Sequence, residues 1–390
     1  MTRSATRTTT VTPHTVVPVP PRRGAYPEQG ADPPVIFSTL VGPLDSLETV
    51  IARWADLMGS GSLRHVLPPR IHPVPPETPA DARILRVAEV RHPPDAGPAL
   101  VARLRRVLPG AGITDVVVER GYYLRPVAQG GTGTESRWQV EWRPDRLDMA
   151  LRSPRIAVPP DALGAAFVGS WPRPRRIAVI DTGDQDATTQ YRFGSRTCEA
   201  EAPVDHNGHG TSVASLVRRA APESDLTCLR VFERDEDQCR SATLLCALGW
   251  ATGMIDRFHV VGVPLKATVD PCEGGTATGA MHQVLDHNSE HGQRVPVVVC
   301  AAGNDGESVP MSYPATLPGV LVAVGLDWSG EEADYNCASP SCSSGQPHSV
   351  GAYGGVAGDP LGTRWLSDGR AKEIRGTSYA TALVCGALAR

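Results

Sequence analysis

At 390 residues the chain is long enough for two or three domains of roughly 100–200 residues each. Its 38 Lys and Arg against 42 Asp and Glu leave a formal charge of −4, which excludes a strongly basic surface and with it nucleic acid or an anionic membrane as the main partner. Lys266 and Lys372 are the only lysines, so the positive charge is nearly all arginine; with 36 prolines this reads as compositional bias, not a functional signal.

Residues 1–34 are rich in Thr, Pro, Arg and Gly without an apolar period, which predicts a disordered leader. Arg3 and Arg7 come early, but no run of roughly 7–15 apolar residues follows to make a signal-peptide core. No stretch reaches the roughly 18 apolar residues of a membrane-spanning helix. The expectation is a soluble, cytoplasmic protein. The nine cysteines are odd in number and contain no Cys-x-x-Cys pair, so buried free thiols are expected ahead of a zinc site or a disulfide framework.

A small α+β domain is expected over 35–127. VIFSTLV (35–41) reads as a strand and DSLETVIARWADLMG (45–59) as a helix, with Leu47, Val50, Ile51, Trp54 and Leu57 on one face and Asp45 as its cap. ILRVAEV (84–90), PALVARLRRVL (98–108) and ITDVVVE (113–119) read as strand, helix and strand, completing a β-α-β-α-β unit. A Gly-rich turn at 130–133 and a Pro- and Arg-rich stretch make 128–170 a linker and lead-in. From 171 to 390 short β-branched runs (RRIAVI, DLTCLRVF, RFHVVGV, VPVVVCA, GVLVAVG) alternate with apolar helical stretches, which predicts an α/β domain with a mainly parallel sheet and helices on both faces. Sites in such sheets gather at the carboxyl ends of the strands, where Asp181 and Asn304 fall.

Four residues suggest chemistry, and each also has an ordinary structural reading. Asp181 suits a strand-end turn, Asn304 a turn, and Ser378 a helix cap. His206 and His209 compete as a base or form a pair of metal ligands that lacks a clear third. A serine hydroxyl needs a neighbouring base to act as a nucleophile at neutral pH, so a Ser, a His and an Asp in one chain are worth testing as a set.

The segments around these residues resemble the subtilisin-like serine peptidases, the subtilases. IAVIDTG (177–183) is similar to that family's strand ending in the catalytic aspartate, DHNGHGTSVASLV (205–217) to its histidine helix, VVVCAAGNDG (297–306) to the turn bearing its oxyanion asparagine, and RGTSYATALVCGALA (375–389) to its nucleophile helix. The resemblance implies a serine endopeptidase with Asp181, His209 and Ser378 as triad and Asn304 as oxyanion donor. The family's base stands before Gly-Thr, which selects His209 over His206. It implies a protein or peptide substrate and no cofactor; calcium binding and oligomeric state are not legible. The alternatives are a catalytically silent scaffold of the same fold and an acyl hydrolase acting on non-peptide esters. Asp-Thr-Gly also marks aspartic peptidases, but these need a second such triplet, which this chain lacks, and an all-β fold.

Three features depart from the family's pattern. Pro264, Leu265, Lys266 and Ala267 stand where a Ser-Leu-Gly-Gly-like strand lines the cleft, and a proline cannot donate to a ladder with substrate. Ala382 replaces a common helix proline, and the sequence ends at Arg390 soon after the nucleophile helix. The segment 35–127 matches in outline a propeptide that assists folding and blocks the cleft, or else is a permanent accessory domain.

Overall fold

The computed structural model describes residues 36–390 except 80, 81, 83, 127–137, 153–172, 195, 234–237, 255–256, 268–278, 290–294, 312, 339–347 and 366–370. The expected leader, the Gly-rich turn at 130–133, Cys272 and Cys342 lie outside the described residues.

The first half builds β1 (Ile36–Gly42), α1 (Leu44–Ala52), α2 (Trp54–Met58), β2 (Arg70–Ile71), β3 (Arg86–His92), α3 (Gly97–Gly110), β4 (Val117–Arg120) and β5 (Tyr123–Pro126). The strands pair antiparallel in the order β2-β3-β1-β4, and β5 stays out of this sheet. Side chains alternate across β1: Leu40 packs under α1 to α3 with Trp54, Leu100 and Leu104, whereas Phe37 and Val41 point to the opposite face. The helix expected over 45–59 is broken at Arg53 (φ −98°, ψ 11°) into α1 and α2. Asp45 is not its cap. Pro43, extended at φ −56° and ψ 150°, holds that place and accepts Leu47 N–H at 3.1 Å, so Asp45 falls in the first turn, where its charge favours the positive end of the helix.

The second half builds β6 (Gln139–Trp142), α4 (Pro144–Arg152), β7 (Arg176–Asp181), β8 (Thr189–Phe193), β9 (Cys198–Ala200), α5 (His209–Ala220), β10 (Asp225–Arg230), β11 (Cys239–Arg240), α6 (Ser241–Gly253), β12 (Val260–Val263) and β13 (Leu265–Ala267). It continues with α7 (Gly279–Ser289), β14 (Val297–Ala301), β15 (Leu321–Leu326), β16 (His348–Tyr353), β17 (Gly362–Trp365), β18 (Ala371–Ile374) and α8 (Thr377–Leu388). An eight-stranded sheet runs β16-β15-β14-β12-β7-β10-β8-β9, parallel but for β9. All five runs expected as strands lie in it, as β7, β10, β12, β14 and β15. The sequence pattern singles out no strand at β8, β9 or β16: β9 and β16 are the edges of the sheet and β8 lies next to the edge, and TQYRF, CEA and HSVGAY carry polar side chains without a β-branched run.

Ile177 and Val179 pack under α5 and α8, while Ala178 and Ile180 pack under α6 and α7, so helices cover both faces. Every residue of α6 is buried. One side lies on the large sheet and the other under the small antiparallel sheet, where Phe37, Val41 and Val87 share a core with Leu244, Leu248 and Met281. The β2–β3 connection extends this cover: Thr78 Oγ1 accepts Trp250 Nε1–H at 3.0 Å and Pro73 O accepts Cys246 Sγ–H at 3.3 Å.

The stretch expected as linker is folded where it is described. β6 pairs antiparallel with β17, which pairs with β18. Arg143 and Arg146 of the α4 turn both bind Asp359, and Leu147 and Ala150 enter the core under Ile177. The folded second half therefore includes residues 138–152 and does not start at 171.

Glu119 on β4 is fully buried against α7, accepting Ala280 N–H at 3.3 Å, and loss of solvation pushes its carboxyl up to about 8. The folded state thus holds a proton that an unfolded glutamate, near about 4.3, releases, and this contribution to stability is lost as pH rises from about 4.3 to about 8. Glu119→Gln removes the titration. Its melting temperature relative to wild type is expected to rise steadily between about pH 5 and about pH 8; a difference that stays constant over that range refutes the account.

Candidate active site

β7 ends on Asp181 at the carboxyl edge of the parallel sheet, and the chain turns at once, with Thr182 N–H donating to Asp181 Oδ1 at 2.7 Å. α5 opens on His209, whose Nδ1 lies 2.8 and 2.9 Å from the two Asp181 oxygens. Both side chains are 0% exposed. A carboxylate only accepts, so Nδ1 carries the proton and Nε2 is the basic nitrogen of the neutral ring. Nε2 is buried and has no hydrogen-bond partner among the described groups.

The turn that delivers His209 is gathered by Asp205, a residue the sequence reading passed over. Its Oδ1 accepts from Thr182 Oγ1 (2.9 Å), Asn207 N (2.9 Å) and Gly208 N (2.8 Å), and its Oδ2 from Thr211 N and Oγ1 (both 2.8 Å). One carboxylate therefore ties the residue after Asp181 to the first turn of α5. The signal available beforehand was an Asp opening Asp-His-Asn-Gly, the side chain that most readily closes a turn on its own backbone. Gly208 is the α5 cap at φ 77°, a left-handed conformation costly to any residue with a Cβ. His206 stays in the loop before the helix.

Ser378 is the second residue of α8, buried, with its Oγ donating to Pro264 O at 3.3 Å. α8 packs on α5 through Leu216, Ala220, Ala380 and Val384. Asn304 follows β14, and its Oδ1 accepts from Thr377 N (2.9 Å) and Thr377 Oγ1 (3.0 Å), which makes Nδ2 the donating end. Gly376 (φ 121°) lies against that amide so closely that a Cβ would overlap it. The four residues singled out in sequence thus meet as two units: Asp181 with His209, and Ser378 with Asn304 at the amino terminus of α8, where backbone N–H groups favour a developing anion.

β5 is the central strand of an antiparallel trio with β11 and β13, pairing Pro126 with Leu265, Arg125 with Lys266 and Leu124 with Ala267. Pro264 lies just before this ladder, so its missing N–H costs no pairing there, and its carbonyl accepts the Ser378 hydroxyl. Lys266 is buried and ion-paired with Asp305, and desolvation lowers its ammonium to about 8. Among the described residues no group of three or more His, Cys, Asp or Glu side chains is arranged to hold a metal ion, and no helix is long and apolar enough to cross a membrane.

The sequence profile of the Subtilase family matches residues 151–390, more than half of the chain. The chain belongs to the subtilase family. This subtilase is 26% identical over 225 residues to the thermostable alkaline protease of Halalkalibacterium halodurans, covering 55% of each protein. It is 24% identical over 227 residues to subtilisin-like protease 2 of Pseudogymnoascus destructans, covering 54% of this chain and 50% of that one. The chain thus spans about half the length of the curated relatives it matches. Among solved structures it is similar to the prenylagaramide maturation protease PagA, with 24% identity and a TM-score of 0.40 over 55% of this chain and 74% of that one, an overlap too partial to bear on the site.

Removing the Asp205 carboxylate strands five buried donors at about 1–3 kcal/mol each before relaxation. Asp205→Ala is expected to cost this subtilase on the order of 3–5 kcal/mol in chemical denaturation. A loss below about 1 kcal/mol means that the turn is held by other contacts.

Proposed function

We propose that this subtilase is a serine endopeptidase in which Ser378 is the nucleophile, His209 the general base, Asp181 its orienting carboxylate and Asn304 the oxyanion donor. The observation that carries the reading is the His209 imidazole held by both Asp181 oxygens in a site closed to water, with α5 packed on the helix that bears Ser378. In this mechanism the Ser378 hydroxyl leaves its resting bond to Pro264 O and attacks the scissile carbonyl as its proton passes to His209 Nε2. Asp181 stabilises the imidazolium. The oxyanion receives the Asn304 Nδ2–H and a backbone N–H at the start of α8. His209 then gives its proton to the leaving amine, and water repeats the sequence on the acyl-enzyme. The substrate is a protein or peptide whose extended chain pairs with β13.

Ser378→Ala and His209→Ala are each expected to lower kcat on the order of 10⁴-fold or more in a folded chain, and Asn304→Ala by about 10²–10³-fold with KM little changed. His206→Ala remains active. A dead His206→Ala beside an active His209→Ala reverses the assignment. Absence of both self-cleavage and labelling by a fluorophosphonate probe in wild type favours the silent scaffold. Turnover of esters without peptides favours the acyl hydrolase.

The same reading assigns the amino-terminal domain the part of a built-in inhibitor, because β5 already occupies the strand place beside β13 that an extended substrate needs. Pro126 stands opposite Leu265, next to the Pro264 carbonyl that holds the Ser378 hydroxyl. Self-cleavage just beyond Pro126 follows. Intact-mass analysis of purified wild type is expected to give a fragment starting between residues 127 and 137, with Ser378→Ala uncut; an uncut, fully active wild type makes the domain a permanent accessory.

A further inference from the structure

Trp138 is 5% exposed although it lies in the stretch that composition marks as linker, and its contacts fall on both loops that carry the Asp181–His209 pair. Its indole Nε1–H donates to the Asp205 main-chain carbonyl at 2.8 Å. Its ring lies flat against Gly208, so that a Cβ at that position would fall inside the indole, and the Arg364 guanidinium sits over the ring at 5.4 Å from its centroid. The backbone of Trp138 is clamped by one side chain: Gln185 Oε1 accepts its N–H at 2.7 Å, and Gln185 Nε2 donates to its carbonyl at 2.6 Å. Gln185 belongs to the loop that leaves Asp181, and its own N–H donates to Thr211 Oγ1 of α5 at 3.2 Å.

We infer that Trp138 is a positioning residue for His209: wedged between the Asp181 loop and the turn before α5, it fixes the height of that turn and so the placement of the imidazole against Asp181. The main chain of Asp205 is where the indole acts, and the side chain of Asp205 is what gathers Thr182, Gly208 and Thr211. A shift of Asp205 therefore moves both loops together. The wedge is anchored from behind by β6 pairing with β17 and by Arg143 and Arg146 on Asp359, so it stays in place whatever happens to the chain before it. The working peptidase unit consequently begins at or before Trp138, upstream of the residues that the family profile matches.

The inference rests on the proposed catalytic reading for its kinetic consequence but not for its geometry, and the experiment separates the two. In full-length Ser378→Ala, which prevents self-cleavage, the low-field proton resonance of His209 Nδ1–H reports the bond to Asp181 without any turnover. Adding Trp138→Ala is expected to broaden or abolish that resonance, whereas Trp138→Phe, which keeps a ring but no N–H donor, retains it at a shifted position. With Ser378 intact, and with rates expressed per site titrated by a fluorophosphonate, Trp138→Ala is expected to lower kcat on the order of 10- to 100-fold with KM within about twofold, and Trp138→Phe to recover most of the loss. An unchanged resonance and an unchanged kcat per titrated site in folded Trp138→Ala overturn the inference. Should Trp138→Ala fail to fold, Trp138→Phe decides: a resonance and kcat identical to those of the parent overturn it, and a shifted resonance with reduced kcat supports it. A wild type that neither turns over peptide nor labels refutes the catalytic reading while leaving the resonance test intact.

Discussion

Helix α6 carries buried side chains on every side, and a helix of that kind persists in water only when it is covered all round. The large sheet covers one side. The small antiparallel sheet and the β2–β3 connection cover the other, and at the large-sheet side Trp250 meets Tyr191 and Phe193 of β8 and Phe258 and is capped by the Arg257 guanidinium at 4.4 Å. Each large apolar side chain so buried contributes about 1.5–3 kcal/mol. The position of the amino-terminal domain is set by this demand. With β1 to β4 fixed over α6 and α7, the next residues of the chain, β5, arrive between β11 and β13 and supply the middle strand that neither has from its own neighbours in sequence.

At the site the governing condition is dryness. Asp181, His209, Asp205 and Ser378 are all buried, so each polar bond there is stronger than in water and each missing one is costlier. The protein answers with a dense local set of acceptors: Asp205 takes five donors and the Asn304 amide oxygen takes two. These bonds fix backbone turns, and the turns fix the side chains proposed to react. Gly208 and Gly376 stand where a turn must pass close to a neighbour, the Trp138 ring in one case and the Asn304 amide in the other.

Elements whose pattern is local were legible in the residues, and elements that depend on a distant neighbour were not. The buried central strands read clearly because both of their faces demand apolar residues. α4 is hidden in the segment that composition marks as linker because Arg143, just before it, and Arg146, within it, look solvated until Asp359, more than 200 residues away, comes to meet them. The helix over 45–59 was read as continuous because periodicity sets the buried face and says nothing of the break at Arg53.

By itself the sequence determined the order Asp181, His209, Asn304, Ser378, the strand, turn or helix that bears each, and membership of a family whose fold is a mainly parallel sheet, since all of these reside in short runs of adjacent residues. Tertiary structure alone decided what surrounds them. The bond from Trp138 to Asp205 spans 67 positions and the pairing of β5 with β13 spans about twice as many, and no periodicity or turn composition encodes a contact between residues so far apart. Such contacts exist because α6 must be covered and the Asp205 turn must be held, and both requirements are met only by chain that folding brings in from elsewhere.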